Sequence, residues 1–232
     1  MIASPLASDI VFRIGPVPVA GQVLTTWLLM ALLAGGSFLA TRRLRPLPSP
    51  RQAALEVLVD AIATQIRDTM RTDPAPYLPL IGTLFLFILA ANWSSLLPGI
   101  DPPTAHLETD AALALIVFCA SVWFGVRTIG PWRYLATFAR PTLLMLPLNL
   151  AETITRSFSL MVRLFGNVMS GVFVVGIVLS LAGLLVPVPL MALDLLTGAV
   201  QAYIFSVLAM VFIGGALAEA GQDDGHRGGA EA

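Results

Sequence analysis

The chain has 232 residues, of which 57% are hydrophobic and 12% charged. This composition is typical of polytopic membrane proteins and excludes a soluble globular protein of ordinary make-up. The net charge of −1 argues against binding to nucleic acid, and the one cysteine, Cys119, lies in an apolar stretch and is interpreted as a small hydrophobic residue.

The amino-terminal part predicts one membrane crossing. Residues 1–22 have three prolines and no basic cluster before the first apolar run, which indicates a short outer segment rather than a cleavable signal peptide. Residues 23–41 form the first predicted transmembrane helix. Arg42, Arg43 and Arg45 follow it, and arginines mark the cytoplasmic side, so the amino terminus is expected outside.

The next segment is amphipathic. Residues 50–71 have apolar side chains at helical spacing but too many charges to span a membrane. They predict an interfacial helix on the cytoplasmic membrane surface, with an ordinary soluble amphipathic helix as the alternative.

Two further spans are predicted in the middle of the chain. Residues 78–97 and 111–126 are apolar and long enough to cross, and an acidic outer loop over residues 100–110 separates them. Asn92 lies inside the earlier span. An asparagine at that depth is interpreted first as an interhelical hydrogen bond.

The carboxyl-terminal part predicts a long hairpin. Residues 142–218 contain two apolar stretches that meet at residues 187–189, and each exceeds the roughly 20 residues that a perpendicular helix needs. Two tilted helices are therefore expected. The polar, glycine-rich residues 219–232 predict a disordered cytoplasmic tail. The predicted fold class is all-α: a polytopic membrane protein with five crossings, one interfacial helix and a tilted carboxyl-terminal hairpin.

A polar stripe runs along the earlier hairpin helix at steps of three and four residues. Its members are Glu152, Arg156, Ser159, Arg163, Asn167 and Ser170. Arg163 stays protonated in a protein, and a charge at the centre of a membrane helix costs roughly 2.5 to 3.5 kcal/mol. It therefore requires a carboxylate partner or a hydrated cavity, and it predicts a functional site.

The later hairpin helix has its own polar set, Asp194, Thr197 and Gln201. An unpaired carboxylate in apolar surroundings resists ionisation, which suits a group that takes up and releases protons. Hydrogen bonding between helices is the structural alternative for Asp194 and Gln201. For the i, i+4 pair Glu152 and Arg156, a structural ion pair and a place on an exit path are both open.

Several motifs now point to a known family. The sequence VRLFGN at residues 162–167, followed by Gly171, resembles the signature of subunit a of F-type rotary ATP synthases. Three other stretches match in the same order: LFLFILAANWSSLLPG at residues 84–99, PPTAHLETDAALAL at residues 102–115, and QAYIF at residues 201–205. The resemblance extends over most of residues 51–217.

The resemblance implies the stationary half of an ion path beside a rotating c-ring. Arg163 then separates two half-channels, with Asn167, Ser170, Asp194 and Gln201 on the translocation path and Glu152 and Arg156 at the cytoplasmic mouth. The implied partners are the c-ring, peripheral-stalk subunit b, the other ATP synthase subunits and the lipid bilayer. The implied ion is H+, and the implied location is the bacterial inner membrane. No cofactor or metal is expected, and no nucleotide chemistry either, because the chain lacks a glycine-rich phosphate loop with lysine.

One position departs from the family pattern. Proton-driven members commonly place an ionisable residue nine positions after the arginine, paired across the hairpin with another seven before the glutamine. Val172 and Asp194 occupy these positions here, so the pair is reduced to one carboxylate. A sodium-translocating subunit a is therefore an alternative.

Two other classes of protein fit the sequence less well. A secondary transporter that binds an anionic solute at Arg163 would have internal repeats and paired broken helices, and the sequence displays neither. An intramembrane enzyme would need a nucleophile and base, or metal ligands, at membrane depth. The two histidines, His106 and His226, lie in predicted loops instead.

Overall fold

The computed structural model describes residues 10–14, 17–42, 50–96, 102–131, 146–182 and 186–227. Five of its helices are long and apolar enough to cross a membrane. These candidate spans are Gly21–Thr41, Leu78–Leu96, Leu107–Thr128, Pro147–Leu181 and Val188–Leu217. The all-α class is thereby confirmed. Predicted features at residues 1–9, 43–49, 97–101, 132–145, 183–185 and 228–232 lie outside the described residues.

The described residues begin with two short strands that the all-α prediction did not include. Strands β1 (Ile10–Ile14) and β2 (Val17–Ala20) form an antiparallel hairpin, with Ile14 opposite Val17 and Ile10 opposite Ala20. Helix α1 (Gly21–Thr41) follows directly, two residues earlier than predicted. Its apolar side chains are largely exposed, as expected of a helix that faces lipid.

The two ends of helix α2 (Pro50–Met70) differ in burial. Near its carboxyl end Ile66 is fully buried, and Met70 packs against Gly214 in the last helix. Nearer its amino end Val57 and Val59 are exposed. The helix stops at Arg71, whose φ of 52° is the left-handed conformation that commonly ends helices. Its placement at the membrane surface stays a prediction.

Four helices enclose the core: α3 (Leu78–Trp93), α4 (Leu107–Ile129), α5 (Leu146–Ala182) and α6 (Pro187–Arg227). Each contributes one stripe of buried apolar side chains at helical spacing. The largest fully buried members are Ile81, Ile88, Val117, Leu164, Phe205, Met210 and Ile213. Short 3-10 turns, Ser94–Leu96 and Pro103–Ala105, close the end where α3 leaves and α4 enters.

Helix α4 begins earlier than the sequence predicted. It starts at Leu107 rather than at residue 111, so Glu108 and Asp110 belong to its first turn and not to a loop. Acidic side chains are favourable there because the backbone N–H groups of a helix start are unpaired and the dipole end is positive. Asp110 is fully buried as a result.

The two last helices are much longer than a membrane is thick. Helix α5 has 37 residues and α6 has 41, which gives lengths of about 55 and 60 Å against a hydrocarbon core of about 30 Å. Their tilt stays a prediction. The prediction of a disordered tail from residue 219 is wrong as far as residue 227, because α6 continues to that residue. Extending an existing helix requires no new nucleation, so a polar continuation is readily accommodated.

Candidate functional site

Arg163 lies on an exposed face of α5. Its side chain is exposed, and Gly166 and Ser170 follow it on the same face at steps of three and four. Among the residues that the structure describes, Arg163 forms no hydrogen bond or ion pair. A permanent cation thus sits on the surface of a membrane-length apolar helix without a partner from its own described segments.

The opposite face of α5 packs into the core. Leu160, Leu164 and Val168 are buried at steps of four residues. One turn further along, Gly171 lies against Asp194 of α6: a Cβ atom built on Gly171 would lie 2.8 Å from the Asp194 Cγ atom. The carboxylate therefore occupies the space that a side chain at position 171 would take.

Asp194 also contacts the Ser94–Leu96 turn that follows α3. The Ser95 hydroxyl donates a hydrogen bond of 3.3 Å to Asp194 Oδ2. Asp194 forms no ion pair with Arg163 in the described structure. Gly171 is eight residues beyond Arg163, or about 12 Å along the helix axis, so the carboxylate and the cation sit at different depths.

The Gly171–Asp194 contact predicts that a side chain at position 171 is not tolerated without a change at Asp194. A Gly171→Ala substitution should displace the Asp194 carboxylate, because the added methyl group meets the end of a flexible side chain rather than a backbone. For the role that the resemblance implies, we expect ATP-driven ion uptake by the reconstituted complex to fall severalfold, with assembly retained. Gly176→Ala in the same helix is the control, since nothing lies within 4 Å of its added Cβ. Equal uptake by the two variants would contradict the expectation.

Asn92 joins three elements. Its amide Nδ2 donates to the Gly198 carbonyl at 2.9 Å, and its Oδ1 accepts from the Thr104 hydroxyl at 2.8 Å. Gly198 permits this approach, since an added Cβ there would be 3.0 Å from the Asn92 Cβ. The geometry is the interhelical hydrogen bond that the sequence indicated, and it holds α3, α6 and the Pro103–Ala105 turn together.

Gln201 and Thr197 occupy different settings on α6. Gln201 is buried and makes no side-chain hydrogen bond to another described residue. The Thr197 hydroxyl donates to the Asp194 carbonyl within the helix at 3.0 Å. Asn167 of α5 is half-buried and Ser170 is exposed. The structure therefore brings Asp194 beside Gly171 and Ser95, but it links neither Asn167 nor Gln201 to that group by a hydrogen bond.

Glu152 and Arg156 form an ion pair on α5, seven to eleven residues before Arg163. Both side chains are about half exposed, at 54% and 51%, so solvent screening leaves the pair little stabilising effect. The Arg156 guanidinium also lies 5.8 Å from the centroid of the Phe212 ring on α6. This contact connects the two long helices at the end opposite to Asp194.

Val172 is exposed over 42% of its surface and adds no polar atom next to the Gly171–Asp194 contact. Asp110, by contrast, is a buried carboxylate that the sequence placed in a loop. Acidic residues at positions 108 and 110 are a helix-start signal, and that signal could have revealed it. Within the described ranges, no group of three or more His, Cys, Asp or Glu residues could hold a metal ion.

These features define a class: a multi-pass α-helical membrane protein with arginine, carboxylate and amide side chains within the candidate spans of two very long helices. Comparison with known proteins makes the class specific. The family model of the ATP synthase A chain matches residues 23–214, and the chain belongs to this family.

Named relatives agree with the family. The chain is 58% identical to ATP synthase subunit a 2 of Bradyrhizobium sp. (strain BTAi1 / ATCC BAA-1182), over 94% of this chain and 97% of the relative. It is 50% identical to ATP synthase subunit a 1 of Chlorobaculum parvum (strain DSM 263 / NCIMB 8327), over 84% and 87%. Identity to ATP synthase subunit a of Albidiferax ferrireducens (strain ATCC BAA-621 / DSM 15236 / T118) is 47%, over 84% and 85%.

Membership has direct consequences. The chain is a stator subunit of the membrane sector of ATP synthase, and its partners are other subunits of that complex. It is a multi-pass membrane protein that takes part in ion transport and ATP synthesis. Because the chain belongs to this family, the secondary-transporter alternative is abandoned.

Proposed function

We propose that the chain forms two ion half-channels with Arg163 between them, and that it couples ion flow to rotation of a c-ring. The observation that carries the proposal is the exposed Arg163, a permanent cation without a partner in the described chain on an apolar helix. Such a charge is costly in hydrocarbon. A carboxylate on a neighbouring subunit offsets this cost.

The positions of the other polar groups favour two separate paths. Asp194 packs against Gly171, about 12 Å beyond Arg163 along α5, while Glu152 lies 11 residues before Arg163, or about 16 Å in the other direction. An ion at Asp194 is therefore far from the Glu152–Arg156 pair. It passes from one group to the other on a moving ring carboxylate.

Arg163 acts on that ring carboxylate in two ways. Its charge stabilises the ionised form and so promotes release of the bound ion as each ring site passes. The same charge repels cations and so blocks a direct leak between the half-channels. Asn167, Ser170, Asp194 and Gln201 serve the path on one side, and Glu152 and Arg156 serve the cytoplasmic mouth.

A docking face for the ring follows from exposure. Val162 and Phe173 are exposed on α5, and Leu196, Val200 and Tyr203 form an exposed stripe on α6. We place the c-ring against this surface and peripheral-stalk subunit b at α2. The membrane is the bacterial inner membrane, with the amino terminus outside and the carboxyl terminus in the cytoplasm, as the arginine distribution favours.

The coupling ion is proposed to be H+, with Na+ as the alternative that Val172 raises. The test reconstitutes the whole complex in liposomes and measures ATP-driven uptake of protons and of radioactive sodium, with and without a protonophore. Proton coupling predicts uptake that needs no sodium and is abolished by the protonophore. Uptake that requires sodium and survives the protonophore assigns Na+. An intact complex that hydrolyses ATP but moves neither ion would contradict the proposal, and a complex prepared without this chain supplies the background.

A further inference from the structure

Asp110 is a buried acid that the proposed half-channels do not use. Its side chain is 0% exposed, and neither Oδ1 nor Oδ2 accepts a hydrogen bond in the described structure. Its backbone N–H is paired with the His106 carbonyl, so only the carboxylate is left without a partner.

The free-energy cost of burying a carboxylate without a partner must be offset by another interaction. Burying an ionised carboxylate without a partner is among the most costly events in a protein interior. The positive end of the α4 dipole favours a negative charge in the first helical turn, but this effect is several times too small to offset burial. A bound proton or a bound cation removes the cost, since either one neutralises the carboxylate.

The position of Asp110 connects it to the outer polar groups. On α4 it continues the buried stripe of Leu113, Ala114 and Val117 by one turn. That stripe packs in one core with Leu164 of α5 and Ala202 of α6. Gly171 and Asp194, which contact each other, lie about two turns along α5 and α6 from Leu164 and Ala202.

The Pro103–Ala105 turn before α4 is linked by hydrogen bonds to the same part of α6. Thr104 is fully buried and donates to Asn92, whose own amide is bonded to Gly198 of α6. Asp110 follows Thr104 by six residues. The buried acid is thus held at the end of the helix bundle where Ser95 meets Asp194.

We propose that Asp110 is a second carboxylate of the outer ion path, which binds the coupling cation, H+ or Na+, in place of the ionisable side chain that position 172 lacks. This inference rests on the proposed half-channels. For a proton, an O–H bond of a hydronium ion breaks as an Oδ–H bond forms at Asp110. The proton then passes to water or to Asp194, and the Asp110 carboxylate is regenerated. Sodium binds by coordination, with no covalent change.

On the elements that pack against α4, the titratable side chains toward this end of the bundle are Asp194 on α6 and His106 after the Pro103–Ala105 turn, with Glu108 on α4 itself. Arg163 is on the exposed face of α5, and α3 contributes no titratable side chain from residue 78 to residue 93.

The test compares Asp110→Asn with Glu108→Gln in the whole complex. Glu108 is the exposed acid two positions earlier, and its Gln22 contact survives because an amide oxygen also accepts a hydrogen bond. ATP synthesis is driven by a fixed membrane potential while the outer concentration of protons, or of sodium in a second arm, is varied. We expect Asp110→Asn to raise the half-saturating ion concentration about tenfold with a smaller change in maximal rate, the signature of lost ion binding. Glu108→Gln should match the native complex.

A rescue sharpens the result. Adding Val172→Glu to Asp110→Asn restores a carboxylate at position 172 and should return the half-saturating concentration toward the native value. An Asp110→Asn complex with native half-saturation in both arms would overturn the proposal.

A second measurement uses the native complex and so does not depend on folding of a variant. A hydrophobic carbodiimide adds to protonated carboxyl groups, and mass spectrometry locates the adduct. We expect modification of Asp110 that falls as the outer proton concentration is lowered or as outer sodium is raised. Absence of the adduct at every ion concentration would overturn the proposal.

The Arg163→Ala complex in the same synthesis assay distinguishes failure of the half-channel proposal from failure of the Asp110 proposal. Coupled synthesis by Arg163→Ala would contradict both the half-channels and the role of Asp110. Loss of synthesis by Arg163→Ala together with native ion dependence of Asp110→Asn would contradict only the role of Asp110.

Discussion

Replacing Arg163 by alanine is expected to abolish ATP-driven ion uptake by the reconstituted complex. At about 4 Å and an effective dielectric constant of about 20, the attraction between an arginine and a carboxylate is about 4 kcal/mol. Each 1.4 kcal/mol is about a factor of ten, so release of the ion from the ring should slow by several hundredfold. Uptake measured by a pH-sensitive dye, or by radioactive sodium, should fall to the level of vesicles without ATP.

Two further variants test whether the fixed charge is the cause. Arg163→Lys keeps a positive charge that can be lost in apolar surroundings, so it should retain at most a small fraction of uptake. Arg127→Ala removes an exposed arginine from the last turn of α4 and should transport normally. Coupled uptake by Arg163→Ala at the native rate would contradict the role of Arg163.

The helices were predictable because their signal is local. Apolar runs of about 20 residues and a heptad-like polar stripe are visible in sequence, and the fold class and the number of candidate spans follow from them. The interhelical role of Asn92 was also predictable, since a buried amide in a membrane helix must find partners.

Other features were not visible because they depend on contacts far apart in the chain. The space at Gly171 has meaning only once Asp194, 23 residues later, is known to fill it. Polar side chains of α5 are periodic, but periodicity does not say that Arg163 is exposed while Leu164 is buried in the core. The start of α4 was misplaced because acidic residues suit both an outer loop and a helix start.

Replacing Asp194 by asparagine is expected to lower ion uptake by a large factor while leaving the complex assembled. Asparagine fits the space beside Gly171, and its amide can still pair with the Ser95 hydroxyl, but it can neither hold a proton at neutral pH nor neutralise a cation. A loss of about 2 to 3 kcal/mol of interaction with the ion corresponds to roughly a 30- to 150-fold fall. The measurement is the initial rate of ATP-driven uptake, with ATP hydrolysis and subunit content recorded on the same preparation.

The matched variants around Asp194 distinguish charge from packing. Ser95→Ala removes one hydrogen bond of 3.3 Å and should cost much less uptake than Asp194→Asn. Asp194→Glu keeps the carboxylate but adds a methylene where Gly171 already leaves little space, so we expect an intermediate rate. If Asp194→Asn transports as well as the native protein, this carboxylate does not carry the ion. If Asp194→Glu is as impaired as Asp194→Asn, the contact with Gly171 matters as much as the charge, and Gly171→Ala should then reproduce the same loss.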